Sequence, residues 1–277
     1  MTDFLASMVE GSRARAAALL AVRSEDEWRR AAVDAPPAPP IRLDPRGFDL
    51  IAEIKLSSPS EGTLAPGSAD VAARARCYAG AGACAVSVLT EPSRFGGDLA
   101  HLEIAAAALA GAGVPAMAKD FLVAPCQVAA ARLAGAGGVL LILRILDDAR
   151  LLEMLDLARS LGMFVLVEAF DAADLERARR LFSPAHAEAP PVLLGLNTRD
   201  LATLKVSPGR LAELAGDFPP ALPAVAESGL VEPADTAAAA AQGYALGLVG
   251  TALMRAADPG AHLGALLEAG RGAAGGR

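Results

Sequence analysis

Several short groups of polar residues in this 277-residue chain have types and spacings suited to proton transfer. Glu53 and Lys55 stand two residues apart at the end of an apolar run, Lys119 is followed by Asp120, and Glu168 lies between Val167 and Ala169. Asn197 and Arg199 share a further run, Glu227-Ser228-Gly229 closes the next, and Gly250-Thr251 the last. Carboxylates set against ammonium groups are the ingredients of general acid–base chemistry. Lysine loses its proton when desolvated, whereas a guanidinium effectively does not. That contrast gives weight to a compositional fact: of 25 Lys and Arg residues, only Lys55, Lys119 and Lys205 are lysine. With 65 alanines the composition reads as coding bias, arginine taking the surface sites that need only positive charge.

The elements that must position these groups alternate regularly. Strand candidates are 48–56, 83–90, 115–121, 138–146, 163–170, 192–200, 223–230 and 244–253, each nearly continuous in apolar residues. That is the pattern of parallel strands covered on both faces. Helix candidates lie near 68–81, 98–112, 124–135, 147–161, 171–182, 207–216, 232–242 and 258–270. Ser68, Asp98, Asp147, Asp171, Ser207 and Asp258 are their cap-like starts. Eight βα units predict an α/β fold, a (β/α)8 TIM barrel over 48–272, with a doubly wound sheet as the structural alternative. Residues 1–47 form an N-terminal helical extension with helices near 3–22 and 24–32 and a Pro-rich tether from Ala35 to Pro45. The tail GRGAAGGR reads as disordered.

In such a barrel the chemistry sits at the carboxyl ends of the strands. Each polar residue singly reads as a strand end turning into solvent. The set does not, because half-buried charges are costly unless paired or used, and two Lys, one Arg and three Glu converge on one mouth. Ser58-Pro59-Ser60 with Gly62 follows the first strand, and Ser228-Gly229 and Gly250-Thr251 follow the seventh and eighth. Turns of this kind, after those last two strands, let backbone N–H groups approach a phosphate. A phosphorylated small molecule is therefore the expected ligand.

Composition excludes other classes. The net charge of −7 and the lack of a basic cluster argue against nucleic acid as a partner. No apolar run is long enough to span a membrane; Val139–Leu146 is the best and carries Arg144. The acidic residues Asp3 and Glu10 do not suit a secretion signal. Cys77, Cys84 and Cys126 have no metal-like spacing and read as packing residues of a cytoplasmic protein.

The segments IAEIKLSSPSEG (51–62), VSVLTEPSRFGGDL (86–99), AKDFLVAPCQV (118–128), GVLLILRIL (138–146), LGMFVLVEAF (161–170), LGLNTRDL (194–201), AESGL (226–230) and GLVGTALMRA (247–256) closely resemble indole-3-glycerol phosphate synthase. The match is in order across the barrel. It implies conversion of 1-(2-carboxyphenylamino)-1-deoxyribulose 5-phosphate to indole-3-glycerol phosphate in tryptophan biosynthesis, releasing carbon dioxide and water. It implies no metal and no organic cofactor. A monomer is expected, and association with other tryptophan-pathway enzymes is compatible with it.

By this resemblance Lys119 is the general acid of ring closure, and Lys55 meets the substrate carboxylate and phosphate or serves as second acid. Glu168 and Glu53 supply the base and stabilise developing positive charge. Asn197 and Ser228 place the ribulose hydroxyls and a catalytic proton, and Arg199 lies beside the aromatic portion. Ser58, Gly229, Gly250 and Thr251 hold the phosphate, Glu227 supports that turn, and Phe95 and Phe121 wall the aryl ring. The chain departs from the family pattern at Glu61, where Lys is usual after SPS, and at Thr251, where Ser is usual. The link 182–192 with His186 is longer, and the N-terminal arm that helps close the mouth differs in its charge pattern. Glu61 and the arm leave open a paralogue acting on a modified anthranilate-derived substrate. A non-catalytic phosphate-binding barrel is the third reading, against which the retained acids and bases stand.

Overall fold

The apolar runs become strands whose backbone groups are satisfied only when the sheet closes on itself. The computed structural model describes residues 3–45, 47–58, 62–63, 69–200, 203, 205–207 and 209–275. The barrel strands are β1 (Asp49–Ile54), β2 (Ala85–Leu89), β3 (Ala116–Lys119), β4 (Gly138–Ile142), β5 (Phe164–Ala169), β6 (Val192–Asn197), β7 (Ala224–Glu227) and β8 (Leu246–Val249). Each pairs in parallel with its neighbours, and β8 returns to β1 to close the barrel. This excludes the doubly wound alternative.

Alternation along each strand divides the core in two. Leu50, Ala52 and Ile54 face outward onto the helices. Ile51, Met117, Leu140, Phe164, Leu166, Leu193, Val225 and Leu246 fill the barrel interior. Toward the carboxyl ends the same inward series turns polar: Ile51 leads to Glu53, Met117 to Lys119, Leu166 to Glu168, and Val225 to Glu227. The apolar floor thus excludes water from beneath a charged upper layer. Gly138 makes that floor possible, because a side chain there would strike the Phe164 ring, whose Cδ1 would lie 2.6 Å from a Cβ.

The helices are α1 (Asp3–Val22), α2 (Glu25–Val33), α3 (Ala69–Gly80), α4 (Pro92–Phe95), α5 (Leu99–Leu109), α6 (Pro125–Leu133), α7 (Asp148–Ser160), α8 (Ala172–Leu181), α9 (Arg210–Leu214), α10 (Pro233–Gln242), α11 (Thr251–Arg255) and α12 (Pro259–Ala274). Asp98, Asp147, Asp171 and Asp258 accept bonds from first-turn amides, as their positions predict. Ser207 is not a cap; Gly209, at φ 85°, begins α9. Ser68 lies outside the described residues, as do Pro59, Ser60 and Glu61.

Other expectations need correcting. The eighth strand stops at Val249, since Gly250 departs from extended geometry and α11 follows. The fourth stops at Ile142, where a 3-10 turn over Leu143–Ile145 takes the chain away from the sheet. The tail is helical to Ala274 because it has a docking site: Arg271 donates to Phe48 O and Asp49, and also pairs with Asp44. Gly276 and Arg277 lie outside the described residues.

In α1, Leu5, Met8, Val9, Ser12 and Ala16 are buried at helical spacing. Gln127 Nε2 donates to Ser12 Oγ at 2.9 Å, and Arg15 pairs with Asp120 at 2.7 Å. These contacts seat α1 against α6 and the end of β3.

Gly270→Ala separates packing from propensity. Alanine normally favours a helix by about 1 kcal/mol over glycine. Here its Cβ would approach Phe48 Cε1 to 2.6 Å, and Phe48 is fully buried. We expect a net loss of roughly 1–3 kcal/mol, read as a Tm lower by several degrees with kcat unchanged; a raised Tm would refute the close contact.

Candidate active site

The polar ends of the inward-facing series meet in one cavity of about 840 Å³ at the carboxyl face of the barrel. Lys119, the last residue of β3, extends its ammonium to Glu168 Oε2 of β5 at 3.1 Å and Glu227 Oε2 of β7 at 3.7 Å. Glu168 Oε1 accepts from Asn197 Nδ2 at 2.9 Å. Asn197 Oδ1 in turn accepts from Ser228 Oγ at 2.8 Å and from the Arg199 backbone N–H at 2.9 Å. Lys55 pairs with Glu53 Oε1 at 3.0 Å. One connected network therefore runs from β3 through β5 and β6 to the turn after β7.

Burial makes this network electrostatically uneven. For Glu53 burial disfavours the charge, but Lys55 and Lys119 outweigh it and hold the carboxyl below its ordinary range. For Lys119 burial also opposes the charge, yet Glu168, Glu227 and Glu53 outweigh it and raise its pKa. Glu227 goes the other way: burial, with Glu168 and Glu53 adding to it against Lys119, pushes it up to about 8. Its Oε1 is buried with no hydrogen-bond partner among the described residues. Glu53 and Glu227 are thus driven in opposite directions within one cluster of charges.

The turns after β7 and β8 complete one side. Ser228 takes a left-handed φ of 68°, uncommon for a residue with a Cβ, and Gly229 follows at 83°. Thr198 fixes this bend, its N–H donating to Glu227 O and its hydroxyl to both Glu227 O and Ser228 O. Gly250 precedes Thr251, and a side chain at Gly250 would collide with Glu53, whose Cδ would lie 3.1 Å from it. Glycine there serves the carboxylate as well as the turn.

The opposite side is apolar. Phe95 and Phe121 line the cavity with ring centroids 6.2 Å apart, and Phe4 of α1 meets Phe121 edge-on at 6.1 Å. The arm is held there by Arg15, whose guanidinium bridges Asp120 and, at 3.8 Å, Glu91. Glu91 also accepts from the Ser93, Arg94 and Phe95 amides, so the same carboxylate begins the short helix that presents Phe95.

Of the residues singled out by sequence, Glu53, Lys55, Phe95, Lys119, Phe121, Glu168, Asn197, Arg199, Glu227, Ser228, Gly229, Gly250 and Thr251 all line this cavity. Ser58 contributes backbone to a small hairpin, pairing with Gly62; its side chain lies outside the described part. Glu227 does more than support its turn, since its carboxylate enters the charged cluster. Lys205 is exposed in the loop after β6. His186 sits on the opposite, amino-terminal side of the strands, half-buried against Phe182. Sequence reasoning missed Phe4 and Arg15, whose helical stripe was readable but whose target was not.

Comparison with known proteins places the chain in a family. A sequence-family model for indole-3-glycerol phosphate synthase matches residues 31–266. A protein of that name from Micrococcus luteus is 44% identical over 218 residues, covering 79% of this chain and 77% of the relative. Its counterpart from Mycobacterium avium is 40% identical over 268 residues, covering 96% and 94%, which takes in most of the N-terminal arm. Among solved structures, 3-hexulose-6-phosphate synthase from Salmonella typhimurium superposes with a TM-score of 0.59 at 16% identity, over 81% of this chain and 99% of that one. Thiamine phosphate pyrophosphorylase from Pyrococcus furiosus gives 0.58 at 14%, over 83% and 99%. Those two likenesses bear on the fold alone. The extent and identity of the sequence matches establish that the chain belongs to the indole-3-glycerol phosphate synthase family, carboxy-lyases of tryptophan biosynthesis.

Proposed function

We propose that Lys119 is the general acid of the ring-closing step, and that its setting among Glu168, Glu227 and Glu53 is the observation carrying this assignment. In the reaction the aryl carbon bearing the carboxylate attacks the ribulose ketone, whose oxygen must gain a proton as the C–C bond forms. Loss of carbon dioxide returns its bonding electrons to the ring and restores aromaticity. The new hydroxyl then leaves as water, which needs a proton donor and a base. Lys119 is the protonated group at the centre of the cavity and gives the first proton. Lys55 serves as second acid or meets the substrate's anionic groups, paired at rest with Glu53. Glu168 takes up the proton released in dehydration, oriented by Asn197, and Ser228 extends that bond network toward the ribulose hydroxyls.

The turns at Gly229 and Gly250-Thr251, with Ser58, receive the phosphate, and Arg199 borders the aromatic portion. Phe95 and Phe121 wall the aryl ring, and Phe4 places the arm over the same side. On this reading residues 48–272 perform the chemistry and residues 1–47 cover it. The free thiols of Cys77, Cys84 and Cys126 fit a reducing cytoplasmic compartment.

Incubation with the carboxyphenylamino-deoxyribulose phosphate should give indole fluorescence, and absence of product from folded protein would sink the reading. Lys119→Ala should lose on the order of 100-fold or more in kcat, the usual worth of a positioned acid, with KM changed less; retained kcat would remove Lys119 from its role. The pH profile carries its own sign. Glu227 is protonated below about 8. As pH rises through that value it ionises, strengthens the hold on the Lys119 proton and weakens the acid. Activity should therefore fall above about pH 8, and Glu227→Gln should lose that limb.

A further inference from the structure

Gly195 lies in β6, two residues before Asn197 and beside Glu168 and Val225 in the ladder. Its own position faces into the barrel. A Cβ built there would overlap Glu227 Oε1, lie 3.0 Å from Glu227 Cδ and come within 3.2 Å of Leu166 Cδ1. The Glu227 carboxylate therefore occupies the volume that any other residue at 195 would fill. That same Oε1 is the one without a hydrogen-bond partner among the described residues. Its partner oxygen stays 3.7 Å from Lys119, longer than the 3.1 Å contact Glu168 makes. A carboxylate free to move would relieve an unpartnered buried oxygen by rotating toward the ammonium or toward the open mouth.

We propose that Gly195 is the positioning residue for Glu227: its missing side chain forms a slot that draws Oε1 down onto the β6 backbone and keeps the carboxyl from closing on Lys119. The inference rests on Glu227 belonging to the acid–base cluster, and deepens that reading. The groups facing Glu227 are Lys119 from β3, Glu168 from β5 and Glu53 from β1, with Leu166 and the Gly195 backbone beneath. Inside the slot the carboxyl is desolvated and near two other carboxylates, which favours its protonated form. Pushed out of it, the carboxyl gains solvent or Lys119, both of which favour ionisation. The slot thus decides whether Lys119 faces two or three negative charges at neutral pH.

Gly195→Ala should move the alkaline limb to lower pH and reduce kcat at pH 7 by on the order of 10-fold or more, with KM for the substrate little changed. Glu227→Asp withdraws the carboxylate by one methylene, so adding Gly195→Ala to it should cost far less than in the parent. Thermal unfolding reads the same coupling if the single variant folds poorly: Gly195→Ala should lower Tm in the parent and hardly at all with Glu227→Ala. Equal penalties in both backgrounds, or an unmoved limb in an active Gly195→Ala enzyme, would overturn the positioning role. If the limb also persists in Glu227→Gln, the role of Glu227 itself falls; if Glu227→Gln removes the limb and Gly195→Ala leaves it in place, only the slot does.

Discussion

An ammonium buried among carboxylates at the top of an otherwise apolar barrel is the constraint on which the rest depends. Taking Lys119 out of water costs several kcal/mol unless opposite charge compensates. One carboxylate would neutralise it; the cavity has Glu168 and Glu227 in contact and Glu53 nearby. The surplus of negative charge fixes the ammonium and leaves one carboxyl better off protonated. Glu227, unpartnered at Oε1, is that one. A donor is therefore held charged and a neutral acid held beside it, within a few ångströms, without any group leaving its strand.

The barrel supplies the geometry because its period-two alternation stacks inward residues in layers. Phe164 seals the lower layer only because Gly138 gives its ring room, and the upper carboxylates fit only because Gly195 and Gly250 give theirs. The same device, an absent Cβ on the neighbouring segment of chain, operates at three positions. In each case the residue that packs is contributed by one strand and the space by the segment beside it. Placement of the charged layer thus follows from strand register together with the first residue of the turn after the eighth strand.

Much of this was legible in sequence. Continuous apolar strands with charges confined to their last residues gave the closed α/β barrel and the charged groups that meet in its cavity, since side-chain direction follows from the two-residue period. Two kinds of feature were not legible. Strand ends at Ile142 and Val249 depend on where the chain turns away, which apolar composition does not mark. The placement of Glu227 and Gly195 depends on cross-strand register, which sets Glu227 beside Asn197 and Gly195 beside Glu168. The helical tail was misread because its glycines weaken the continuation of a helix begun at Asp258, while its docking residue, Arg271, meets a partner more than 200 residues away.

The arm illustrates how covering and chemistry become mechanically linked. Arg15 reaches Asp120, the residue after the acid Lys119, and Asp120 also accepts from Thr90 at the end of β2. Burial raises the Asp120 pKa, and Arg15 opposes that shift. Removing the arm would leave a buried carboxylate without its counter-ion one residue from the Lys119 ammonium, so the arm's departure is penalised at the cavity itself. Phe4 adds an apolar contact to Phe121, the next residue along. Apolar surroundings strengthen charge interactions in a cavity, and the helix that brings Phe4 to this one is held by the strand end that carries Lys119. Differences in the charge pattern of α1 are tolerable on this view, because what matters is a buried stripe, one aromatic tip and one guanidinium at the right turn of the helix.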